Sequence, residues 1–435
     1  MKKSYHGIEQ KRENGDIWFN DLKRTRSQGP TLSTNRYEDC KESTKSIHAG
    51  QYDDPATGAL GTPIFQCSTF YLNESSYEAI EEGRGRDEMI YTRYGNPSQW
   101  SVQEKLSALE NAESSIVFSS GMAAISTAIL GMLDKGSHVV SSRDIYGGTY
   151  NFLYDLDKYG MSVTFTSPTN IEEIEAAIKQ NTKLLYFEAL TNPLLKIIPI
   201  EAIVALGKKY NLRVIIDNTF LTPYNVKPLD LGVDLVVNSA TKYLNGHSDL
   251  IGGTVSGSRK LVDRLWPQML KNGGSLDPHA CFMLERSLKT FALRMRAHNA
   301  NAMALATYLE NHPNIKKVYY PGLASHDQHK LAKAQLKGKY SGMISFEIEG
   351  GDENAHALLK LLKLPKEATS LGGVESLISL PYNTSQASLT KEQQKAIGIN
   401  DGLVRLSVGV EDIEDLISDF NQALSTIFKK ETTYA

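Results

Sequence analysis

Residues 235–243 read Leu-Val-Val-Asn-Ser-Ala-Thr-Lys-Tyr. A short apolar run ends in small hydroxyl residues and then a lysine, Lys242. Continuous rather than alternating apolar runs are how strands read when helices cover both faces of a parallel sheet. The pattern repeats upstream. Residues 212–216 run into Asp217-Asn218, and Leu184-Leu185-Tyr186-Phe187 runs toward Thr191-Asn192-Pro193. His138-Val139-Val140 meets Ser141-Ser142, and Ile116-Val117-Phe118 meets Ser119-Ser120-Gly121. Helical spacing fills the intervals at 102–109, 122–133, 171–180 and 200–210. Strand–helix alternation of this kind predicts a doubly wound α/β domain. In such sheets ligands sit beyond the carboxyl ends of the strands, where these polar residues fall.

The character changes after about residue 281. A long helical stretch over 282–309 is followed by strands at 342–348 and 403–408 and by helical spacing over 413–427. This predicts a smaller C-terminal α+β domain. Tyr319-Tyr320-Pro321-Gly322 reads as a strand entering a turn.

Composition sets outer limits. The chain has 435 residues, 41% hydrophobic and 22% charged, with a net charge of −3. That near balance argues against a nucleic-acid or anionic-membrane partner. No apolar run approaches the ~18 residues of a membrane span. Three well-separated cysteines, Cys40, Cys67 and Cys281, form neither a metal knuckle nor a disulfide framework and favour a cytoplasmic location. His138, His247, His279, His298, His326 and His329 are scattered; only 326 and 329 are close in sequence, and no metal site is expected. Residues 1–44 are polar, with nine Lys/Arg and seven Asp/Glu, and lack the apolar core of a secretory signal. They read as a disordered extension in which Ile17-Trp18-Phe19 could dock on the body. Tyrosine is in excess, 21 against 13 Phe and 3 Trp.

Three features could carry chemistry. A lysine just after a buried strand, flanked by Ser239 and Thr241, can become a nucleophile toward carbonyls when desolvated; the bland alternative is a snorkelling loop lysine. Asp217, 25 residues earlier, is a structural cap or the partner of a protonated pyridine nitrogen. Ser119-Ser120-Gly121-Met122-Ala123-Ala124 places small residues between a strand and a helix start, where backbone N–H groups can cradle a phosphate. It is neither a Walker loop nor a dinucleotide fingerprint. Lysine, carboxylate and cradle together are what pyridoxal 5′-phosphate (PLP) requires.

The chain resembles the Cys/Met-metabolism (trans-sulfuration) PLP-dependent enzymes over about 46–424. The resemblance rests on Tyr91-Thr92-Arg93-Tyr94-Gly95-Asn96-Pro97, Ser120-Gly121-Met122-Ala123, Tyr146-Gly147-Gly148-Thr149, Thr191-Asn192-Pro193, Asp217-Asn218-Thr219, Ser239-Ala240-Thr241-Lys242-Tyr243, Ser370-Leu371-Gly372-Gly373 and Leu403-Val404-Arg405-Leu406-Ser407-Val408-Gly409. It implies an aspartate-aminotransferase-like, fold type I PLP-binding domain over 99–285. An arm over 45–98 would complete the neighbouring subunit's site, and the C-terminal domain would occupy 286–435.

By the same resemblance Lys242 is the Schiff-base lysine and proton shuttle, and Asp217 the partner of the cofactor nitrogen. Tyr146 stacks on the cofactor and serves the leaving group. Gly121, Met122, Ser239 and Thr241 bind the phosphate, joined by Tyr91 and Arg93 from the neighbouring subunit. Asn192 and Arg405 bind the substrate carboxylate, and Ser370 belongs to the substrate site and positions the lysine. The implied assembly is a homodimer with shared sites, paired into a homotetramer. The implied reaction is γ-elimination or γ-replacement on homoserine-derived amino acids, of the cystathionine γ-lyase or γ-synthase type. Alternatives are methionine γ-lyase, homoserine-ester sulfhydrylase or cystathionine β-lyase chemistry, then aminotransferase activity, and last a PLP-binding protein without turnover.

Three positions depart from family habits. Thr369 stands where cystathionine-handling members commonly carry Glu. Gly148 stands where methionine γ-lyases commonly have Cys. Gln386 stands where relatives usually have His.

Overall fold

The computed structural model describes residues 37, 39–52, 54, 57–72, 74–384 and 390–431. Nearly all of the 1–44 extension, its Ile17-Trp18-Phe19 cluster and Gln386 lie outside these residues. The helix Glu42–His48 straddles the boundary expected at 44.

The large sheet has seven strands: β1 (Ser114–Phe118), β2 (His138–Ser142), β3 (Ser162–Thr166), β4 (Thr182–Glu188), β5 (Arg213–Asp217), β6 (Leu235–Asn238) and β7 (Gly253–Gly257). Their spatial order is β1-β7-β6-β5-β4-β2-β3. All neighbours are parallel except β7, which runs against both β1 and β6. Two reversals cancel, so β1 points the same way as β6, and the carboxyl ends of β1, β2, β4, β5 and β6 share one edge. The expected doubly wound α/β domain is present, with one antiparallel strand that its sequence conceals. β7 reads Gly-Thr-Val-Ser-Gly, which lacks an apolar run. A Cβ on Gly253 would stand 2.2 Å from the Ser120 carbonyl oxygen, so close packing excludes the bulky residues that would have marked it as a strand.

β1, β2, β6 and β7 are buried throughout. One face of the sheet contributes Ile116, Tyr186, Ile215 and Val237 to a core shared with Ile125 and Ile129 of the helix Gly121–Met132. The other contributes Val117, Leu185, Ile216 and Val236 to a larger core that continues into the C-terminal region. Burial on both faces accounts for the unbroken apolar runs.

Local signals set the helix ends. Asn96 caps Pro97–Glu110 by accepting the Ser98 amide, Pro97 opens it, and Asn111 closes it in the left-handed region. Ser120 accepts the Ala123 amide at 3.0 Å and caps Gly121–Met132. The long stretch expected over 282–309 is two helices, Pro278–Leu288 and Phe291–Glu310, broken at Lys289-Thr290 without glycine or proline.

The second sheet is β8 (Ile315–Tyr319), β9 (Met343–Ile348), β10 (Lys366–Glu367), β11 (Leu377–Ser379) and β12 (Leu403–Ser407), in the order β10-β11-β12-β9-β8. The helices Gly351–Leu361 and Ile413–Glu431 accompany it, giving the expected α+β architecture. The two sheets meet through Ser345 and Arg405. Ser345 Oγ donates to the Pro193 carbonyl at 2.7 Å, and Arg405 Nη1 donates to Asn192 Oδ1 at 3.2 Å, both partners lying just after β4. No helix among the described residues is long and apolar enough to cross a membrane.

Candidate active site

Lys242 lies in the turn after β6. Burial, then the nearby Arg405 guanidinium, lowers its amine from the usual lysine range to about 8. Its Nζ donates to Ser370 Oγ at 2.7 Å. The snorkelling alternative is therefore wrong for this side chain: the amine turns inward to a hydroxyl of the smaller domain. Arg294, 6% exposed, fixes the backbone after the lysine. Its guanidinium donates to the carbonyls of Tyr243 at 2.7 Å, Leu244 at 3.1 Å and Ser287 at 3.0 Å. The sequence reading missed Arg294, because those carbonyls are 50 or more residues away in sequence or belong to another helix.

Asp217 ends β5 and is buried. Its Oδ1 accepts the Thr219 amide at 3.0 Å and the Thr219 hydroxyl at 2.6 Å, and its Oδ2 accepts the Tyr186 hydroxyl at 3.2 Å. Burial raises the carboxyl above its ordinary value, and the three hydrogen bonds pull it partly back. A buried carboxylate with no cation among these partners suits a cationic ring nitrogen.

The cradle forms where β1 hands over to the helix Gly121–Met132. The amides of Gly121 and Met122 open the helix and have no partner within it. A Cβ on Gly121 would meet Ser239 Cβ and Oγ at 2.8 Å, so the helix start and the Ser239 turn close on one space only because residue 121 is glycine. Thr219 Oγ1 accepts the Ser239 amide at 2.8 Å and so ties the cradle to Asp217. Thr241 Oγ1 accepts the Gly252 amide at 3.0 Å and donates to the Gly252 carbonyl at 3.2 Å, so its hydroxyl also braces this turn. The cradle and a buried carboxylate without a cationic partner fit an aromatic cation carrying a phosphate.

Tyr146 precedes the helix Gly147–Tyr154 and is 49% exposed. A Cβ on Gly148 would lie 2.6 Å from Tyr146 Cε1 and 3.1 Å from its Cζ. The hydroxyl side of the ring thus lies over the space that Gly148 leaves open.

Arg405, on β12, is buried, and burial lowers its guanidinium to about 10. Nη1 donates to Asn192 Oδ1 at 3.2 Å and Nη2 to the Ser370 carbonyl at 3.3 Å. Asn192, Ser370, Arg405 and Lys242 are therefore together, as expected. Ser370 adopts φ +78°, an uncommon conformation for a residue other than glycine, and it serves lysine and arginine at once. Thr369 beside it is exposed.

Tyr91 and Arg93 are not drawn into this constellation. Tyr91 bridges to Thr69, and Arg93 Nη1 donates to the Leu270 carbonyl at 2.9 Å. Among the described residues no group of three or more His, Cys, Asp or Glu is arranged to hold a metal. A second carboxylate absent from the sequence reading, Glu188, ends β4 beside Asp217. Its signal was a charge closing the apolar run 184–187.

Known proteins are similar to this chain over most of its length. The family model described as Cys/Met metabolism PLP-dependent enzyme matches residues 43–425. Cystathionine gamma-lyase of Bacillus subtilis is 44% identical over 89% of this chain and all of its own length. L-methionine gamma-lyase of Fusobacterium nucleatum is 44% identical over 88% of this chain and 98% of its own. Cystathionine beta-lyase of Lactococcus lactis is 43% identical over 88% of this chain and 98% of its own. Among solved structures, cystathionine gamma-lyase from Lactobacillus plantarum complexed with L-serine aligns with a TM-score of 0.83 and 38% identity, over 89% of this chain and 99% of that one. The chain belongs to the Cys/Met metabolism PLP-dependent enzyme family. It is an enzyme of carbon–sulfur lyase type, and its cofactor is pyridoxal 5′-phosphate.

Proposed function

We propose that this member of the Cys/Met metabolism PLP-dependent family eliminates the Cγ substituent of cystathionine-type, homoserine-derived amino acids, with γ-replacement by a thiol as the companion reaction. The carrying observation is the contact of Lys242 with Ser370, because it sets the reactive amine beside the Arg405–Asn192 pair. An amino acid held by its carboxylate on Arg405 presents its Cα to Lys242.

Bound PLP supplies an electron sink for charge developing at Cα. Asp217 keeps the cofactor nitrogen cationic. Gly121, Met122, Ser239 and Thr241 hold the phosphate. Lys242, part neutral near pH 8, anchors the cofactor and then moves protons at Cα and Cβ. Tyr146 would help to hold bound PLP, and its hydroxyl would deliver a proton to the departing sulfur. Tyr91 and Arg93 serve the phosphate of a second copy, which makes the working unit a homodimer, paired into a homotetramer. A cytoplasmic location belongs to the same reading.

Gly148, where methionine γ-lyases commonly have Cys, weighs against the methionine reading, as Thr369 weighs against cystathionine; a cysteine side chain at 148 would meet the Tyr146 ring. Supporting the cystathionine reading are the cystathionine gamma-lyases of Bacillus subtilis and Lactobacillus plantarum among its relatives. The second reading is β-elimination, supported by the Lactococcus lactis cystathionine beta-lyase. The test is incubation with cystathionine, methionine, cysteine and O-acyl homoserines, with and without thiol. Formation of 2-oxobutyrate from cystathionine is expected. Pyruvate as the main product would establish the β-reading. Preferential turnover of methionine, or of an O-acyl homoserine only when thiol is present, would replace it with γ-lyase action on methionine or with sulfhydrylase chemistry.

A further inference from the structure

Glu188 is buried at the carboxyl end of β4, and the chemistry above makes no use of it. Its Oε1 accepts the Tyr146 amide at 2.7 Å. That bond ties the strand end to the residue whose ring covers the site. In the parallel pairing of β4 with β5, Glu188 is the register partner of Asp217. Register partners share a face of the sheet, and Tyr186, two residues earlier on that face, donates to Asp217. Glu188 therefore stands between the stacking tyrosine and the carboxylate that meets the cofactor nitrogen.

We propose that Glu188 is a positioning residue: one carboxyl oxygen fixes the main chain of Tyr146, while its place beside Asp217 leaves a single charged carboxylate for the cofactor nitrogen. The proposal rests on the roles given above to Asp217 and Tyr146. Two buried carboxyls on adjacent strands cannot both be ionised at low cost. The groups facing Glu188 are Asp217 on β5, the phenol of Tyr186 on β4, and Asp144 in the turn before Tyr146. Lys196, in the loop after β4, is engaged with Asp144 at 2.6 Å, and Arg143, the cation in that turn, pairs with Glu173. Burial first, then Asp217, holds the Glu188 carboxyl well above the ordinary glutamate range. Asp217 can then ionise fully against the cationic ring nitrogen while Glu188 keeps the proton.

The test measures PLP affinity of the cofactor-free protein from about pH 5 to about pH 9, with the circular dichroism of bound PLP, for Glu188→Gln, Glu188→Ala and Asp217→Asn. The amide oxygen of Glu188→Gln still accepts the Tyr146 amide, so the dichroism should be preserved. Gln is neutral, like the protonated Glu188 it replaces, so the acid limb of PLP affinity, set by Asp217, should stay in place. Glu188→Ala leaves the Tyr146 amide without its acceptor and should change the dichroism and weaken PLP roughly tenfold. If Glu188→Gln moves the acid limb, or if Glu188→Ala leaves both the dichroism and the PLP affinity unchanged, the proposal is wrong. If Asp217→Asn binds PLP like the parent at every pH, the role of Asp217 fails instead, whatever Glu188 does.

Discussion

Lys242 and Ser370 are 128 residues apart, yet the lysine Nζ donates to the serine hydroxyl at 2.7 Å. The same serine gives its carbonyl to Arg405 and holds φ at +78° to do both. Backbone strain of this kind costs on the order of 1–3 kcal/mol and is found where a function requires it. Ser370→Gly should relieve the strain and lose the hydroxyl. The melting temperature should therefore stay level or rise while kcat falls by roughly tenfold. Thermal denaturation beside steady-state kinetics checks this, and an unchanged kcat would show that the hydroxyl is idle.

Arg405 acts on substrate and on Lys242. Arg405→Gln should raise KM by roughly 10- to 100-fold, the range for a lost charge-assisted hydrogen bond. It should also raise the midpoint for Lys242 acylation in the cofactor-free protein from about 8, because one of the two causes lowering it is gone. The sign for stability follows. Between about 8 and the ordinary lysine value of 10.5 the unfolded chain binds a proton that the folded one does not, so the Lys242 contribution to stability increases with pH across that window. Acylation rates against pH in parent and variant provide the check.

Gly121 separates the cradle from the Ser239 turn. With Gly121→Ala the new methyl meets Ser239 at 2.8 Å, and the helix start must retreat from the phosphate. PLP affinity should fall by roughly tenfold or more, as overpacking by one methyl costs ~1–3 kcal/mol. Equilibrium dialysis of the cofactor-free variant measures it.

Gly148 sets where the Tyr146 ring can lie. Gly148→Ala should displace the ring, lower kcat with cystathionine more than it changes PLP affinity, and alter the dichroism of the bound cofactor. Equal kcat in parent and variant would separate Tyr146 from the rate.

Much of this site was legible because in a doubly wound sheet its chemistry sits where apolar runs stop. Lys242, Asp217 and the Ser120-Gly121 cradle follow buried runs directly, so position alone marked them. Tyr146, Asn192, Ser370 and Arg405 needed the family resemblance, since nothing local ties a positive-φ serine to a lysine on another domain. Glu188 and Arg294 were missed, and Thr219 stood in a quoted motif without a role, because their work lies in register and through-space contact: β4 against β5, a guanidinium reaching the turn after Lys242, a hydroxyl joining Asp217 to Ser239. The break at Lys289-Thr290 and the glycine-flanked β7 escaped for a similar reason, being decided by tertiary packing rather than by punctuating residues.

The central claim is that Lys242 carries the cofactor in a site bounded by Asp217 and Arg405. The most direct measurement is borohydride reduction of the PLP-loaded protein, followed by peptide mass analysis, for the parent and Lys242→Ala. The account predicts a cofactor adduct on the peptide containing Lys242 in the parent, and no adduct and no turnover in the variant. An adduct on another lysine, or turnover by Lys242→Ala at the parent's rate, would contradict it.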